Sequence, residues 1–493
     1  MSNPSLARLS STSAATLRAF GRKLASIGVS LEAAAPIVIA AQAVAPGIRQ
    51  PIRAFHLRRI DKPVGWAMRM FLFSDPVTIA EARTALGDLT DGLLEVGLLE
   101  RRDDGGVVSP FVLGIIDDLF ILSDDLAHGE DAVMGFGEVT VELCGAAFPR
   151  QGIQRALDLG CGSGTAALLL AKRARATVGV DINPRAVALA KINAAINGIT
   201  NVEFRTGDLF APVQGETFDL IVSQPPFVPM PVGVSAAAFL YGGPRGDELS
   251  LRLLAHLAPH LAPKGRALLL AEWPDHGTDA LDLRLRKAMD TGDVSLLLLR
   301  MPHTELDGHA VSYASGLHPQ LGRPFEQEAL LRREHLEQMG IRALLPTLVV
   351  VERADPTPGW TMTVSIEPLS KVSFTSERID RLLAAQVVAD APERLLAATV
   401  RVPEGAVLSQ EQVGPGASAP STLHVRFAPS ALIPPIQLTI ELLALFTFLH
   451  EAPTVRAGLQ RFAAELELPL DEVMPRSIEA VARALREGVL ELA

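Results

Sequence analysis

The residues with the clearest chemical potential form a glycine-rich segment in the middle of the chain, Asp158-Leu-Gly-Cys-Gly-Ser-Gly164. The segment separates a short apolar run from an Ala- and Leu-rich stretch, so we expect a turn between a strand and a helix. Glycines let the backbone turn tightly and bring its amides against a ligand, where any Cβ would collide. The alternative is a purely structural turn. The candidate ligand-binding residues are Asp158, Gly160, Cys161, Gly162 and Gly164.

A second candidate is Asp181, which ends the next apolar run 23 positions after Asp158. A carboxylate at the tip of a second strand can accept hydrogen bonds from both hydroxyls of a ribose and thereby hold the sugar. The pattern is not the dinucleotide-binding G-x-G-x-x-G, because the third glycine comes one position early. Ile182, beside the carboxylate, joins this candidate site. The alternative role for Asp181 is a helix cap ahead of Asn183-Pro184.

Two further motifs follow the next two apolar runs. In Gly207-Asp208-Leu209-Phe210 a carboxylate is available for the exocyclic amine of an adenine, and Leu209 is one of the apolar neighbours that can enclose the ring. The alternative role for Asp208 is a capping or turn carboxylate. The segment from Phe218 onwards then ends in Gln224-Pro225-Pro226-Phe227.

This ordered set of motifs resembles the class I S-adenosylmethionine-dependent methyltransferases that end their fourth strand in Asn-Pro-Pro-Tyr or a close variant. Those families methylate nitrogen, and they include release-factor and ribosomal-protein glutamine methyltransferases and small-domain ribosomal RNA guanine methyltransferases. The segment from Tyr241 to Asp247 looks like the Gly-Gly-x-x-Gly turn of the glutamine enzymes. The resemblance covers about 200 residues, from Arg155 to Arg353. It implies S-adenosyl-L-methionine as the cofactor and a transferase activity.

The resemblance also gives Gln224, Pro225, Pro226 and Phe227 a catalytic role. An amide or aryl amine has a delocalised lone pair, and two acceptors, a side-chain oxygen at position 224 and the backbone oxygen of the next proline, would hold its N–H groups in line for attack. Phe227 would stack on a planar substrate group. No metal or strong base is required. Gln224 departs from the usual Asn, Asp or Ser, because its extra methylene moves the acceptor by ~1.5 Å, and Phe227 lacks a tyrosine hydroxyl.

These departures leave three functions open. The first is N-methylation of an amide or amine, the second is methylation of a small molecule on nitrogen or oxygen, and the third is a cofactor- or partner-binding protein without turnover. The acceptor, whether protein, RNA or small molecule, is not resolved. An experiment with labelled cofactor and a cell lysate would separate these cases: the treatment that releases the transferred label, protease, ribonuclease or solvent extraction, identifies the class of acceptor.

The elements that must position these residues alternate between short β-rich runs and helical stretches, which predicts an α/β fold with a mostly parallel sheet. Seven strands are predicted, in the Rossmann-like arrangement that the resemblance implies. They are Ala156 to Leu159, Thr177 to Val180, Val202 to Arg205, Leu220 to Ser223, Ala267 to Glu272, Ser295 to Arg300 and Thr347 to Glu352.

The length of 493 residues predicts several domains, and we expect three: 1–145, 146–366 and 367–493. The first is predicted to be helical and winged-helix-like, with a helix starting at Asp75-Pro76, a second from Asp88 to Val96 and a hairpin, and to dock the substrate. The second helix carries acidic and no basic residues, so DNA is not an expected partner. The third domain is predicted to be a mainly helical accessory module. The segment from His128 to Asp131 is either a lid or a loop.

Composition sets the remaining limits. The net charge of −11 disfavours indiscriminate binding to nucleic acid, although Met1 to Met70 carries ten Lys and Arg against two acidic residues, which is either a partner-binding arm or a solvated helical face. Neither Ala33 to Gly47 nor Leu438 to Leu449 is long and apolar enough for a membrane span, and the start is unlike a secretion signal, so a cytoplasmic location is expected. Cys144 and Cys161 predict neither a disulfide framework nor a metal site.

Overall fold

The computed structural model describes residues 4–44, 48–124, 131–148, 151–232, 239–318, 321–353, 359–368, 375–411, 422–426 and 433–493. The first part of the chain is helical, as predicted. Pro36 lies inside a helix and does not end it, although a proline in a helix interior usually breaks or kinks the helix. The helices are α1 (Pro4–Ser10), α2 (Ala14–Ser26), α3 (Leu31–Gln42), α4 (Arg49–Leu57) and α5 (Pro63–Leu72).

The predicted order of helix, helix and hairpin follows, as α6 (Ile79–Leu86), α7 (Leu89–Glu95), β1 (Glu100–Arg101) and β2 (Val107–Val108). The start of α6 was predicted wrongly. Its cap is Thr78, which forms a reciprocal capping box with Glu81. Asp75 is buried and pairs instead with Arg58 and Arg69, at 2.8 and 2.6 Å. Arg58 and Arg69, two of the ten Lys and Arg residues of the N-terminal region, therefore form ion pairs within the protein. The winged-helix assignment stays a prediction.

A second hairpin, β3 (Phe111–Ile116) with β4 (Leu119–Asp124), leads into α8 (Glu138–Ala147) and the central sheet. The elements that follow are β5 (Arg155–Leu159), α9 (Thr165–Ala171), β6 (Ala176–Asp181), α10 (Pro184–Asn197), β7 (Val202–Thr206), β8 (Phe218–Ser223), β9 (Val228–Pro229), β10 (Tyr241–Gly243), α11 (Glu248–Leu257), β11 (Leu261–Asp275), α12 (Leu281–Met289), β12 (Val294–Arg300), α13 (Leu306–Leu317), α14 (Arg323–Gln338), β13 (Ala343–Arg353) and β14 (Thr361–Ser365).

The central sheet confirms the predicted Rossmann-like fold and has one strand more than expected. Its order is β7-β6-β5-β8-β11-β13-β12-β14, with β13 antiparallel to both of its neighbours and the other pairs parallel. All seven predicted strands are present, and β14 is the eighth. Along β11, Leu268 and Leu270 join the apolar cluster on one face, while Leu269 and Trp273 join the cluster on the other. Burial on both faces explains why the strand reads as an unbroken apolar run.

Two asparagines of α10 provide a hydrogen-bonding edge for β4. The Phe120 N–H donates to Asn197 Oδ1 at 2.9 Å, and the Leu122 N–H donates to Asn193 Oδ1 at 2.8 Å. The two carboxamide nitrogens return hydrogen bonds to the carbonyls of the same strand residues, at 2.8 and 2.9 Å. Residues four apart on a helix share a face, as do residues two apart on a strand, so the spacings match. This contact joins the N-terminal region to the central sheet.

The last part of the chain is mainly helical, as predicted, with a small sheet that was not. Its elements are α15 (Ser376–Ala389), α16 (Pro392–Ala397), β15 (Val400–Arg401), β16 (Val407–Glu411), β17 (Thr422–Arg426), β18 (Ile436–Leu438), α17 (Ile440–Glu451), α18 (Val455–Glu465), α19 (Leu470–Arg486) and β19 (Glu491–Leu492). The strands β16, β17 and β18 form an antiparallel sheet. Helix α15 belongs to two clusters, with Ile379 against the central sheet and Ala385 in the C-terminal core. The boundaries of the three domains stay predictions.

Among the described residues no single helix has the length and apolar character needed to cross a membrane, and α2 with α3 meets that test only as a pair bent by 69°.

Candidate active site

A cavity of about 570 Å³ lies where β5, β6 and β8 end. The strand order reverses beside β5, since β6 and β7 extend the sheet to one side and β8 and β11 to the other. Crevices at such switch points, outside the carboxyl ends of parallel strands, are where α/β sheets bind ligands. Twelve of the thirteen predicted site residues line the cavity. They are Asp158, Gly160, Cys161, Gly162, Asp181, Ile182, Asp208, Leu209, Gln224, Pro225, Pro226 and Phe227.

The thirteenth, Gly164, does not line the cavity, and the glycines of the turn serve different purposes. All three have left-handed backbones, with φ of +82° at Gly160, +51° at Gly162 and +84° at Gly164. A Cβ on Gly160 or Gly162 would have no atom within 4 Å, because both face open space. A Cβ on Gly164 would lie 2.8 Å from the Ala190 Cβ. The first two leave room for a ligand, whereas the third lets α10 pack closely.

Asp181 organises this turn through both of its carboxylate oxygens. One accepts the Gly162 N–H and the other the Asn183 N–H, each at 2.8 Å. The cap of α10 is Asn183, whose side chain accepts the Arg185 N–H, so the capping alternative for Asp181 does not hold. Burial raises the pKa of Asp181, and the two N–H donors oppose that rise. A carboxylate offers about four lone-pair positions, so two remain for a ribose diol.

Asp158 lies beneath the turn, with 4% of its surface exposed. Its carboxylate accepts the Ala167 N–H at 2.8 Å, which ties the end of β5 to α9. Burial raises the pKa of Asp158 to about 7; the Ala167 N–H opposes this shift, and the charge of Asp181 adds to it. Burial and both aspartates also raise the pKa of the Cys161 thiol, so this cysteine stays protonated and acts as a small apolar wall.

Asp208 lines the cavity near Leu249 and Leu253, but its carboxylate is engaged in an ion pair. Both of its oxygens accept from Arg252 Nη2, at 2.5 and 2.7 Å, and both side chains are about half exposed. Arg252 comes from α11, and sequence reasoning missed it. Leu209 has a left-handed backbone with φ +45°, which costs a non-glycine residue about 1–3 kcal/mol and is typical of functional sites. Ile182 is 65% exposed at the edge of the cavity.

The loop from Gln224 to Phe227 forms another wall of the cavity. Gln224 Oε1 accepts a hydrogen bond from the Thr140 hydroxyl of α8 at 2.9 Å. Ser223, just before the loop, donates to the Leu159 carbonyl at 2.6 Å and thereby joins the ends of β8 and β5. The loop and the glycine-rich turn are therefore held side by side.

The predicted glycine turn after Tyr241 packs directly on this loop. Strand β10 pairs in parallel with β9, which continues the loop. A Cβ on Gly242 would lie 2.6 Å from the Pro226 carbonyl oxygen and 2.0 Å from that of Gly246. A Cβ on Gly246 would lie 2.5 Å from the Phe227 carbonyl oxygen. Only glycine allows the two backbones to come this close.

Helices α13 and α14, between β12 and β13, complete this side of the site. Tyr313 of α13 lines the cavity. Arg332 of α14 is 2% exposed and donates to the Tyr241 hydroxyl at 2.7 Å. His335 contacts the Pro244 carbonyl at 2.7 Å. The glycine turn is thus anchored on α14. Sequence reasoning missed these residues, because nothing near Tyr241 indicates a partner some ninety positions away.

The segment from Ala132 to Phe136 also lines the cavity, facing the glycine-rich turn. It is attached through Asp124, whose carboxylate accepts the Val133 N–H at 2.9 Å and binds Arg185 at 2.5 and 2.7 Å. This ion pair is buried, with 9% of the Arg185 side chain and none of the Asp124 side chain exposed. Three of the four residues in the predicted lid or loop, 128–130, lie outside the described residues. Its last residue, Asp131, accepts a hydrogen bond from Asn183 at 3.0 Å.

Comparisons with known proteins agree with this geometry. Residues 153–242 match a family model described as a methyltransferase domain. A release factor glutamine methyltransferase of Aliivibrio fischeri is 49% identical over 78 residues, covering 15% of this chain and 28% of that protein. A putative protein N5-glutamine methyltransferase of Methanocaldococcus jannaschii is 38% identical over 119 residues, covering 23% and 59%. A release factor glutamine methyltransferase of Koribacter versatilis is 37% identical over 149 residues, covering 27% and 50%.

The chain therefore spans between 28% and 59% of the lengths of these three relatives. The residues that the family model matches contain the glycine-rich turn and the strands β5 and β6 on either side of it. The comparisons confirm the predicted cofactor class and the resemblance to the glutamine enzymes. The central region of this chain thus contains a methyltransferase domain that resembles the class I S-adenosylmethionine-dependent enzymes.

Proposed function

We propose that this protein transfers the methyl group of S-adenosylmethionine to the nitrogen of a side-chain amide in a protein substrate. The observation that carries the proposal is the shared cavity, in which the loop from Gln224 to Phe227 faces the glycine-rich turn and Asp181. Groups suited to bind a nucleoside and groups that can accept N–H bonds thus line one cavity. A volume of about 570 Å³ is in the range of cavities that hold a cofactor together with a substrate group.

In this proposal the cofactor is held at the ends of β5, β6 and β7. Asp181 would accept the ribose hydroxyls with its remaining lone pairs, and Gly160 and Gly162 leave room for the nucleoside. Ile182 and Leu209 would contact the adenine ring, and the Asp208 carboxylate, which pairs with Arg252, would accept its amine. Asp158, Cys161 and Gly164 support the turn. Bound there, S-adenosylmethionine supplies a methyl group on a positively charged sulfur.

The acceptor amide is held on the opposite wall. Gln224 Oε1 and the Pro225 carbonyl accept its two N–H groups, which turns the nitrogen lone pair towards the cofactor. Pro225 and Pro226 restrict the backbone of the loop, and the close approach of Gly242 to the Pro226 carbonyl fixes the position of the loop in the cavity wall. Phe227 and Tyr313 cover the planar amide and exclude water. Positioning supplies most of the rate, since no metal or strong base is required by this arrangement.

The substrate class rests on the relatives. The three relatives described above are named as release factor or protein N5-glutamine methyltransferases, and each is similar to this chain over 78 to 149 residues. A glutamine side chain has the planar amide that the loop is suited to hold. The net charge of −11 also favours a polypeptide acceptor over a nucleic acid.

The test is transfer of label from methyl-labelled S-adenosylmethionine to a cell lysate by the full-length protein. We expect label that is released by protease and not by ribonuclease or solvent extraction. Acid hydrolysis should then yield labelled methylamine, because an N-methyl amide breaks down to an acid and an amine. Label in RNA or in an extractable metabolite would contradict the protein substrate, and labelled methyl-lysine or methyl-arginine would contradict the amide.

A matched variant separates binding from transfer. Gln224→Ala should bind S-adenosylhomocysteine like the unchanged protein in calorimetry and lower the transfer rate about ten- to hundred-fold, because only an acceptor for the substrate is lost. If the unchanged protein binds the cofactor but labels no fraction, the protein binds without turnover and the proposed activity is wrong.

A further inference from the structure

One hydrogen bond connects the catalytic loop to a helix far away in sequence. The Thr140 hydroxyl of α8 donates to Gln224 Oε1 at 2.9 Å, across 84 positions of the chain. Both side chains line the cavity and both are partly buried. The hydrogen bond therefore lies in the wall of the cavity, where the group that receives the methyl would bind.

Gln224 needs an external anchor for a physical reason. Compared with an asparagine, it has one more methylene and one more freely rotating bond, so its carboxamide can occupy positions that differ by ~1.5 Å. Fixing such a side chain costs conformational entropy. A misplacement of ~1 Å at a reacting centre can lower a rate about hundred-fold. A hydrogen bond from a rigid element removes this freedom before the substrate arrives.

Helix α8 is such a rigid element. Leu143, Cys144, Ala146 and Ala147 all belong to the apolar cluster on one face of the central sheet. The segment that leads into the helix is held through the Val133 N–H by the buried carboxylate of Asp124. Thr140 is therefore placed by the protein core and not by the loop whose side chain it contacts.

We propose that Thr140 is a positioning residue for the transfer reaction: its hydroxyl bonds to Oε1 and holds the Gln224 carboxamide in a position from which Oε1 can accept an N–H group of the substrate. The inference rests on the proposed function and extends it. The hydroxyl uses one lone pair of Oε1 and leaves the other for an N–H group of the substrate. The Thr140–Gln224 pair thereby does the work that a shorter asparagine does alone.

The experiment is a double-mutant cycle in the full-length protein. Thr140→Val keeps the shape and removes the hydroxyl, Thr140→Ser keeps the hydroxyl, and Gln224→Asn shortens the acceptor beyond hydrogen-bond reach of Thr140. Transfer to the acceptor fraction that the unchanged protein labels gives kcat and KM, and calorimetry with S-adenosylhomocysteine gives cofactor affinity. Circular dichroism and thermal melting check that each variant is folded.

We expect Thr140→Val to lower kcat about ten- to hundred-fold with cofactor affinity changed by less than about twofold, and Thr140→Ser to retain most of the activity. In the Gln224→Asn background, Thr140→Val should have no further effect, because the hydrogen bond is already absent. A role in packing alone would lower stability equally in both backgrounds. Thr140→Ala, which demands less space, follows the same expectations if the valine variant does not fold.

Two results overturn the inference while leaving the proposed function intact. One is normal transfer by Thr140→Val and Thr140→Ala alongside a slow Gln224→Ala. The other is the same fold-loss from Thr140→Val with glutamine or asparagine at position 224. Failure of the unchanged protein to label any fraction overturns the proposed function, and the inference with it.

Discussion

The two halves of the cavity are built in different ways. The cofactor half, from Asp158 to Leu209, comes from one stretch of chain, and the hydrogen bonds around its glycine-rich turn join residues 9 positions apart at Asp158 and Ala167 and 19 apart at Gly162 and Asp181. The acceptor half, formed by Gln224 to Phe227 with α8, β10, α13 and α14, depends on bonds that span 84 positions at Thr140 and 91 at Arg332. Local sequence order specifies the first half, whereas distant parts of the fold specify the second.

This difference implies that each half can be damaged separately. Backbone N–H groups and carboxylates dominate the cofactor half, so substitutions there should change binding of the cofactor or stability. Side chains and close backbone contacts from remote elements dominate the acceptor half, so substitutions there should change transfer at constant cofactor affinity.

The largest expected effect is on cofactor binding by Asp181→Ala. The substitution removes a carboxylate that we propose accepts two hydroxyls, and each hydrogen bond to a charged group contributes about 1.5–3 kcal/mol, so affinity should fall at least about hundred-fold. Calorimetry with S-adenosylhomocysteine measures the change. Asp293→Ala, on an exposed turn, is the matched control and should bind normally. If a folded Asp181→Ala variant still bound S-adenosylhomocysteine tightly, the proposed role of Asp181 in holding the ribose would be wrong.

The next effect is the loss of transfer in Gly242→Ala. The new Cβ would meet the backbone oxygens of Gly246 and Pro226, and neither can move without displacing the loop. We expect transfer to fall about hundred-fold while cofactor affinity stays within about twofold. Gly316→Ala on α13, where a Cβ meets nothing within 4 Å, is the control. If Gly242→Ala loses cofactor binding as well, the two halves are not separable.

A smaller effect should distinguish two glycines inside the cofactor half. Gly160 and Gly164 have nearly the same left-handed φ, but only at Gly164 does a Cβ collide with α10. Chemical denaturation should show Gly164→Ala less stable than Gly160→Ala by about 1–3 kcal/mol, the usual cost of overpacking. Gly160→Ala should show the larger loss of cofactor affinity. Equal stability losses would contradict the separate roles.

The smallest expected effect is a change in how stability depends on pH. Burial also raises the pKa values of Asp181 and Asp247, so Asp158 supplies only part of this pH dependence. The pKa of Asp158 is raised to about 7 from a usual 3.8, so the folded state binds more protons than the unfolded state between these values. Its contribution to stability is therefore largest at acidic pH and is lost as pH rises towards about 7. Asp158→Asn should remove this dependence and gain stability relative to the unchanged protein from pH 4 to 7. A constant difference across that range would be the contrary result.

The predictable part of the molecule is the part that carries local signals. All seven strands, the cofactor-half residues and the loop from Gln224 to Phe227 could be predicted, because apolar runs, glycines and the Pro-Pro motif are visible in the sequence. β14 was missed, since Thr361-Met-Thr-Val-Ser is short and follows a break in the pattern. The start of α6 was misplaced because Asp75-Pro76 resembles a cap, whereas Asp75 is used by Arg58 and Arg69. Thr140, Arg252 and Arg332 carry no local signal, since their roles depend on which surfaces meet.

The asparagine contact between β4 and α10 has a consequence for dissecting the protein. In a fragment starting at β5, the apolar side chains of Leu189 and Ile192, which the N-terminal core now covers, would be exposed to water. The carboxamides of Asn193 and Asn197 would also lose their hydrogen bonds to Leu122 and Phe120. Such a fragment should self-associate, so recombinant work on the catalytic unit has to retain the leading third of the polypeptide.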